Sequence, residues 1–179
     1  AQGFKNFTAY VDEILSGRDS EMVTAMLNKL TTNYTYFLRE EAHFKYLWDV
    51  VLPYLEKKHA RDKVLSIWSA GCSSGEEPYT ISMYLKEYFG TQASQWDTRL
   101  LATDISQKIL NTANTASYGE ESLSSLPANW KQKYFTQKGP GKYPVSPYIK
   151  KNVIFRTFKL MDPIQFKRNF ALIFCRNVM

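Results

Sequence analysis

With 179 residues, the chain is long enough to bury one sizeable core and carry a small appendage. A hydrophobic share of 44% and an aromatic share of 15% exclude a disordered chain, and no apolar run reaches the length of a membrane span. The net charge of +6 is either a solvated basic surface or a face for an acidic partner. No dense Lys/Arg run with interleaved aromatics marks nucleic acid. Two cysteines, Cys72 and Cys175, make no disulfide framework and favour a reducing, cytosolic setting.

Residues 4–16 place Phe7, Tyr10, Val11, Ile14 and Leu15 at helical spacing, with Gly17 as the stop. Asp19 or Ser20 caps a second helix carrying Met22, Val23, Met26, Leu27 and Leu30. Two amphipathic helices are too few to make a core, so residues 1–30 are expected to be the end of a larger helical domain. Residues 31–42 form a polar and aromatic linker. Asn33 and Thr35 offer amide and hydroxyl groups there, and Arg39 offers a planar five-donor fork suited to a carboxylate. An ordinary capping linker with a surface arginine is the alternative. A third helix over 43–55 faces Phe44, Leu47, Trp48, Val51 and Leu52 inward, and Pro53 is expected to kink or break it. His43 and His59 have no partner at metal-ligand spacing, so no metal site is expected.

Residues 64–89 hold the most informative stretch. VLSIWSA reads as a buried strand, GCSSGEEP as a small-residue turn, and YTISMYLKEYF as a helix with Ile81, Tyr84, Leu85 and Tyr88 on one face. A second strand, TRLLATDIS, stops on Asp104. An acid at that place suits ribose hydroxyls, or simply caps the next helix. Residues 118–150 gather most of the prolines and several lysines, and Tyr134, Phe135, Tyr143 and Tyr148 favour an ordered β-excursion over a flexible loop. Residues 152–160 give a third strand and 170–175 a nearly all-apolar fourth, followed by Arg176 and Asn177.

This strand–helix alternation predicts an α/β, Rossmann-like domain. The first turn has glycines at 71 and 75 only, so it lacks the dinucleotide fingerprint, and it has no P-loop lysine. Glu76 closes it. A carboxylate there repels pyrophosphate and attracts an ammonium or hydroxyls, which favours a nucleoside bearing an amino acid: S-adenosylmethionine.

SIWSAGCSSGEEPYTISM resembles the cofactor turn of the CheR-type chemotaxis receptor methyltransferases. LTTNYTYFLREEAHF resembles their interdomain linker, ATDIS their second strand and IFCRNVM their fourth. Four motifs in order, over nearly the whole chain, make the resemblance specific. It implies a Rossmann-like S-adenosylmethionine-dependent methyltransferase fold represented by its first four strands. The expected organisation is a helical remnant (1–30), a linker (31–42) and an incomplete methyltransferase domain (43–179) with an inserted β-subdomain (118–150). The family's sheets have seven strands and a tyrosine after the fourth-strand motif, so the chain is expected to be a fragment of a longer enzyme.

By motif position the resemblance implies cofactor contacts at Asn33, Thr35, Arg39, Ala70, Glu76, Asp104, Lys159, Leu160, Arg176 and Asn177. Lys159 stands where the family usually has asparagine, so its contact would be through backbone. Arg39 is the implied catalytic residue, holding either the substrate's carboxylate or the cofactor's. The implied reaction moves methyl from S-adenosylmethionine to glutamate side chains on the cytoplasmic helices of chemoreceptors, leaving S-adenosylhomocysteine, in the cytoplasm and with neither nucleic acid nor membrane insertion. The rival readings are a methyltransferase for another substrate and a non-catalytic cofactor- or receptor-binding module.

Overall fold

The computed structural model describes residues 7–16, 35–163, 166 and 169–178. The chain divides into two compact units, Ala1–Asn33 and Tyr34–Met179. In the first, helix α1 (Phe7–Leu15) is followed by Ser16, which donates its backbone N–H to the Asp12 carbonyl and its hydroxyl to the Glu13 carbonyl. The helix expected over 22–30 lies outside the described residues.

In the second unit, helix α2 (Glu41–Tyr46) runs through a π turn (Leu47–Val51) into α3 (Leu52–Lys58). The helix, expected to kink or break at Pro53, does not break there. Proline has no N–H to donate and its ring crowds the carbonyl four residues back. The wider π turn, in which Leu52 donates to the Leu47 carbonyl, carries the backbone past that position. Phe44, Leu47 and Leu52 are buried as their spacing requires. Trp48, expected inside, is 37% exposed and packs edge-on against Tyr84 and Tyr88.

Strand β1 (Ile67–Ala70) leads through the small-residue turn into α4 (Glu76–Phe89), and β2 (Leu100–Asp104) leads into α5 (Gln107–Thr115). Ser106 caps α5 by accepting the Ile109 N–H on its hydroxyl. Next come β3 (Ser117–Tyr118), α6 (Ala128–Tyr134), β4 (Tyr143–Pro144), α7 (Pro147–Lys150), β5 (Val153–Thr157) and β6 (Leu172–Cys175). The main sheet is parallel throughout, in the order β5-β2-β1-β6. Every residue of β1 is buried, as a strand covered on both faces must be. Chain order reverses between β1 and β6, and parallel sheets bind ligands outside the carboxyl ends of their strands at such a reversal. Pairing of Asp104 with Thr157 and of Ala70 with Thr103 and Cys175 brings all four carboxyl ends level.

Residues 118–150, expected as an inserted β-subdomain, hold Tyr118 of β3, all of β4 and the antiparallel Phe135–Val145 bridge, together with α6 and α7. Leu123, Leu126, Tyr134, Val145 and Ile149 join the same core as β1 and α4. Residues 35–40, expected as linker, also pack into this unit. Phe37 is fully buried, with its ring edge-on to Tyr118 and Phe135. Among the described residues, no helix is long and apolar enough to cross a membrane, and no group of acidic, histidine or cysteine side chains has the makings of a metal site.

Candidate functional site

The turn after β1 is shaped by close packing. Gly71, Ser73 and Gly75 all have positive φ. A Cβ on Gly71 would collide with the Val178 side chain, and one on Gly75 would fall 2.9 Å from the Tyr118 hydroxyl. Glycine is required at both places because backbone must approach side chain that closely. Gly71 and Cys72 both donate their N–H groups to the Thr103 carbonyl at 2.8 Å, tying the turn to the end of β2. Burial and the neighbouring carboxylates push the Cys72 thiol up, out of the reactive range.

Asp104 clamps two turns at once. One carboxylate oxygen accepts the Ser73 N–H at 2.8 Å and the other the Ser106 N–H at 3.0 Å. Each oxygen has further acceptor capacity, and the residue is half-buried at the strand end. Phe158 donates to the Asp104 carbonyl, which brings the segment after β5 alongside. Leu160 is half-buried there. Lys159 is exposed, and its carbonyl accepts the Asp162 N–H.

Two adjacent glutamates open α4. Glu76 is 3% exposed. Its carboxylate accepts the Ser74 hydroxyl at 2.7 Å, and among the described residues no basic side chain forms an ion pair with it. Burial pushes its pKa up to about 7 against the pull of the Ser74 hydrogen bond. Glu77 is also nearly buried, but fully engaged. It accepts the Ser69 hydroxyl at 2.7 Å and the Arg176 Nε at 2.7 Å.

Arg176 therefore leaves β6 pointing toward α4 and α2. Besides Glu77 it reaches the Arg39 carbonyl at 2.8 Å, the His43 Nδ1 at 3.2 Å and the Glu40 carboxylate at 3.6 Å, and it lies 5.3 Å over the Phe44 ring. Asn177, at φ 54°, makes a long 3.5 Å contact from its side-chain amide to Glu40. Arg39 sits half-buried between Leu38 and Glu40, both in the left-handed region at φ 59° and 58°. Thr35 is half-buried just before that loop, and Asn33 lies outside the described residues.

Ala70, Glu76, Asp104, Leu160, Arg176 and Asn177 thus come together along the carboxyl edge of the sheet, with Arg39 held at the β6 end. The Nε and Nη1 groups of Arg176 are committed to Glu77 and to the Arg39 carbonyl. Glu77 and Ser69 were not singled out from sequence. A buried Ser69 facing the second residue of the next helix is visible only once β1 and α4 pack.

The chemistry of this edge fits an amino-acid nucleoside. A buried carboxylate with no cation among the described residues suits an ammonium group, and the half-buried Asp104 beside it suits hydroxyls. Neither suits a pyrophosphate.

Comparison with known proteins agrees with this geometry. Residues 33–179 match the family described as CheR methyltransferase, SAM binding domain. A chemotaxis protein methyltransferase of Borreliella burgdorferi is 43% identical over 181 residues, covering 99% of this chain and 64% of that protein. Chemotaxis protein methyltransferase 1 of Pseudomonas aeruginosa is 37% identical, with 99% and 65% covered. The chemotaxis protein methyltransferase of Escherichia coli is 35% identical, with 99% and 60% covered. The chain spans less than two thirds of the length of each of these three relatives. With its parallel α/β sheet and the match over residues 33–179, the chain belongs to the CheR methyltransferase family and carries that family's S-adenosylmethionine-binding domain.

Proposed function

We propose that the whole protein methylates glutamate side chains on the cytoplasmic helices of chemoreceptors, acting in the cytoplasm. The observation that carries this reading is Glu76, a buried carboxylate at the turn after β1 with no cation partner among the described residues. It is the counterpart expected for the ammonium of an amino-acid-bearing methyl donor. Asp104, fixed by the Ser73 and Ser106 amides, takes the ribose hydroxyls, and the backbone at Ala70, Leu160, Arg176 and Asn177 lines the remainder.

When bound, S-adenosylmethionine supplies an electrophilic methyl on a sulfonium. A receptor glutamate is already ionised at neutral pH, so the chain has no proton to remove. Its oxygen bonds to the methyl carbon as the carbon–sulfur bond breaks, the electron pair stays on sulfur, and a methyl ester and S-adenosylhomocysteine result. The protein's work is alignment and exclusion of water. Arg39 serves as a carboxylate clamp, on the substrate or the donor. The excess of basic over acidic residues supports a glutamate-rich partner surface.

Tritium from labelled S-adenosylmethionine, incubated with the full-length enzyme and receptor membranes, is expected to appear as base-labile ester. Base-stable label would point to another substrate. No label despite calorimetric binding of S-adenosylhomocysteine would point to a non-catalytic module.

A further inference from the structure

The loop that carries Arg39 is held in an unfavourable backbone shape. Leu38 and Glu40 both occupy the left-handed region, at φ 59° and 58°, where a Cβ meets the following carbonyl. Two such residues flanking a single arginine persist only when the surroundings over-determine them. The surroundings do so from three sides. Phe37 donates its N–H to the Ser122 carbonyl at 3.2 Å while its ring is fully buried. Leu38 makes a long 3.5 Å contact to the Thr80 hydroxyl, which itself donates to the Glu76 carbonyl at 2.7 Å. The Arg39 carbonyl accepts from Arg176, whose guanidinium is held by Glu77, which is held in turn by Ser69 of β1.

We propose that Glu77 and Arg176 are positioning residues: their nearly buried ion pair hangs the Arg39 loop from the carboxyl end of β1 and sets where Arg39 stands at the site. The pair spans three elements that no backbone ladder connects, namely α4, the segment after β6 and the 37–40 loop. Glu77 stands one residue after Glu76. Any shift of the first turn of α4 therefore moves the Glu76 carboxylate and the Arg39 loop together. An arginine fork can hold a carboxylate and a carbonyl simultaneously in fixed directions, and a lysine ammonium lacks that fixed geometry.

The catalytic half of this inference rests on the function proposed above, and the structural half does not. Arg176→Lys is the variant to use, because it keeps a cation beside Glu77 and so keeps the fold. In the ligand-free full-length protein, hydrogen exchange of the Leu38, Arg39 and Glu40 amides is expected to quicken by about tenfold, with β1 and β2 unchanged. Equal protection of those amides in both proteins overturns the inference, whatever reaction the protein performs. In the methyl-transfer assay, Arg176→Lys is expected to lower kcat by about tenfold in the wild-type background and to add nothing in an Arg39→Lys background. Additive losses would mean that Arg176 acts independently of Arg39, and would overturn it. Glu77→Gln, which keeps the shape and an acceptor, is expected to show the same non-additivity at smaller amplitude. A wild type that transfers no methyl would end the functional reading and leave the exchange result to decide the positioning.

Discussion

Two neighbouring carboxylates at the start of α4 share nearly the same depth and have opposite fates. Glu77 faces the β6 side and is closed off by Ser69 and Arg176. Glu76 faces the turn after β1, where among the described residues it meets a serine hydroxyl and no cation. A carboxylate that deep with only neutral hydrogen-bond donors among the described residues is destabilising to fold around, and burial raises its pKa to about 7. The difference teaches how to separate structure from function at this edge. A paired buried acid has its charge met within the fold, whereas an unpaired one is a candidate for a ligand that brings the missing charge.

The largest effect should come from breaking the paired side. Arg176→Ala leaves Glu77 buried without its cation and removes the donor to the Arg39 carbonyl. A loss of about 3 kcal/mol in unfolding free energy is expected, read by chemical or thermal denaturation. A melt indistinguishable from wild type would mean that Glu77 is solvated in solution and that the two carboxylates do not differ as described.

Removing charge from the unpaired side should do the reverse. Glu76→Gln keeps the shape and relieves a desolvated carboxylate, so the ligand-free protein is expected to melt at the same temperature or higher. Calorimetric affinity for S-adenosylhomocysteine, whose amino-acid ammonium would lose its counter-charge, should fall by about tenfold to a hundredfold. Unchanged affinity would remove Glu76 from the binding site.

The pH dependence sharpens the same contrast. Because the folded pKa of Glu76 is raised from 4.5 to about 7, the folded state binds the extra proton between those values. The contribution of Glu76 to stability is therefore fully present below pH 4.5 and lost as pH rises through about 7. An ammonium ligand needs the ionised form, so affinity should drop by about tenfold per pH unit just below 7, level off at the affinity of Glu76→Gln, and be flat above 7. In Glu76→Gln this slope should vanish from both the melting and the binding curves.

Much of this was legible in the sequence because it is local. Strand β1, the glycine-bearing turn and α4 are contiguous, and their periodicity switches between residues 70 and 76. Asp104 could be placed because it closes the apolar run of the second strand. What was not legible is whatever needs the fold to bring distant residues together. Glu77 and Arg176 are separated by 99 positions. Adjacent helix residues point about 100° apart, so the sequence implies that Glu76 and Glu77 diverge but not which of them meets an arginine. The motif placed Arg176 at the cofactor, whereas its guanidinium turns away to Glu77 and the Arg39 carbonyl. The π turn that passes Pro53 was hidden for a related reason. The rule that proline breaks a helix describes regular i→i−4 geometry, and Leu52 bonds to Leu47 instead.

The smallest expected effect supplies the reference for the largest. Arg99 and Asp97 form a better ion pair by geometry than Arg176 and Glu77, with the arginine donating from both Nε and Nη2 at 2.9 and 2.6 Å. They differ in depth, since the Arg99 side chain is 66% exposed and that of Arg176 is 12% exposed. Water screens an exposed pair and each partner remains hydrated when the other is removed, so pairing alone contributes little. Arg99→Ala is expected to leave the melting temperature within the scatter of repeated measurements and to become still less distinguishable as salt is added. The Arg176 effect should persist at the same salt, because both its side chain and that of Glu77 are nearly buried. If Arg99→Ala were as damaging as Arg176→Ala, pairing rather than burial would account for the loss. The contrast between Glu76 and Glu77 would then rest on the presence of an arginine and not on the depth at which each carboxylate lies.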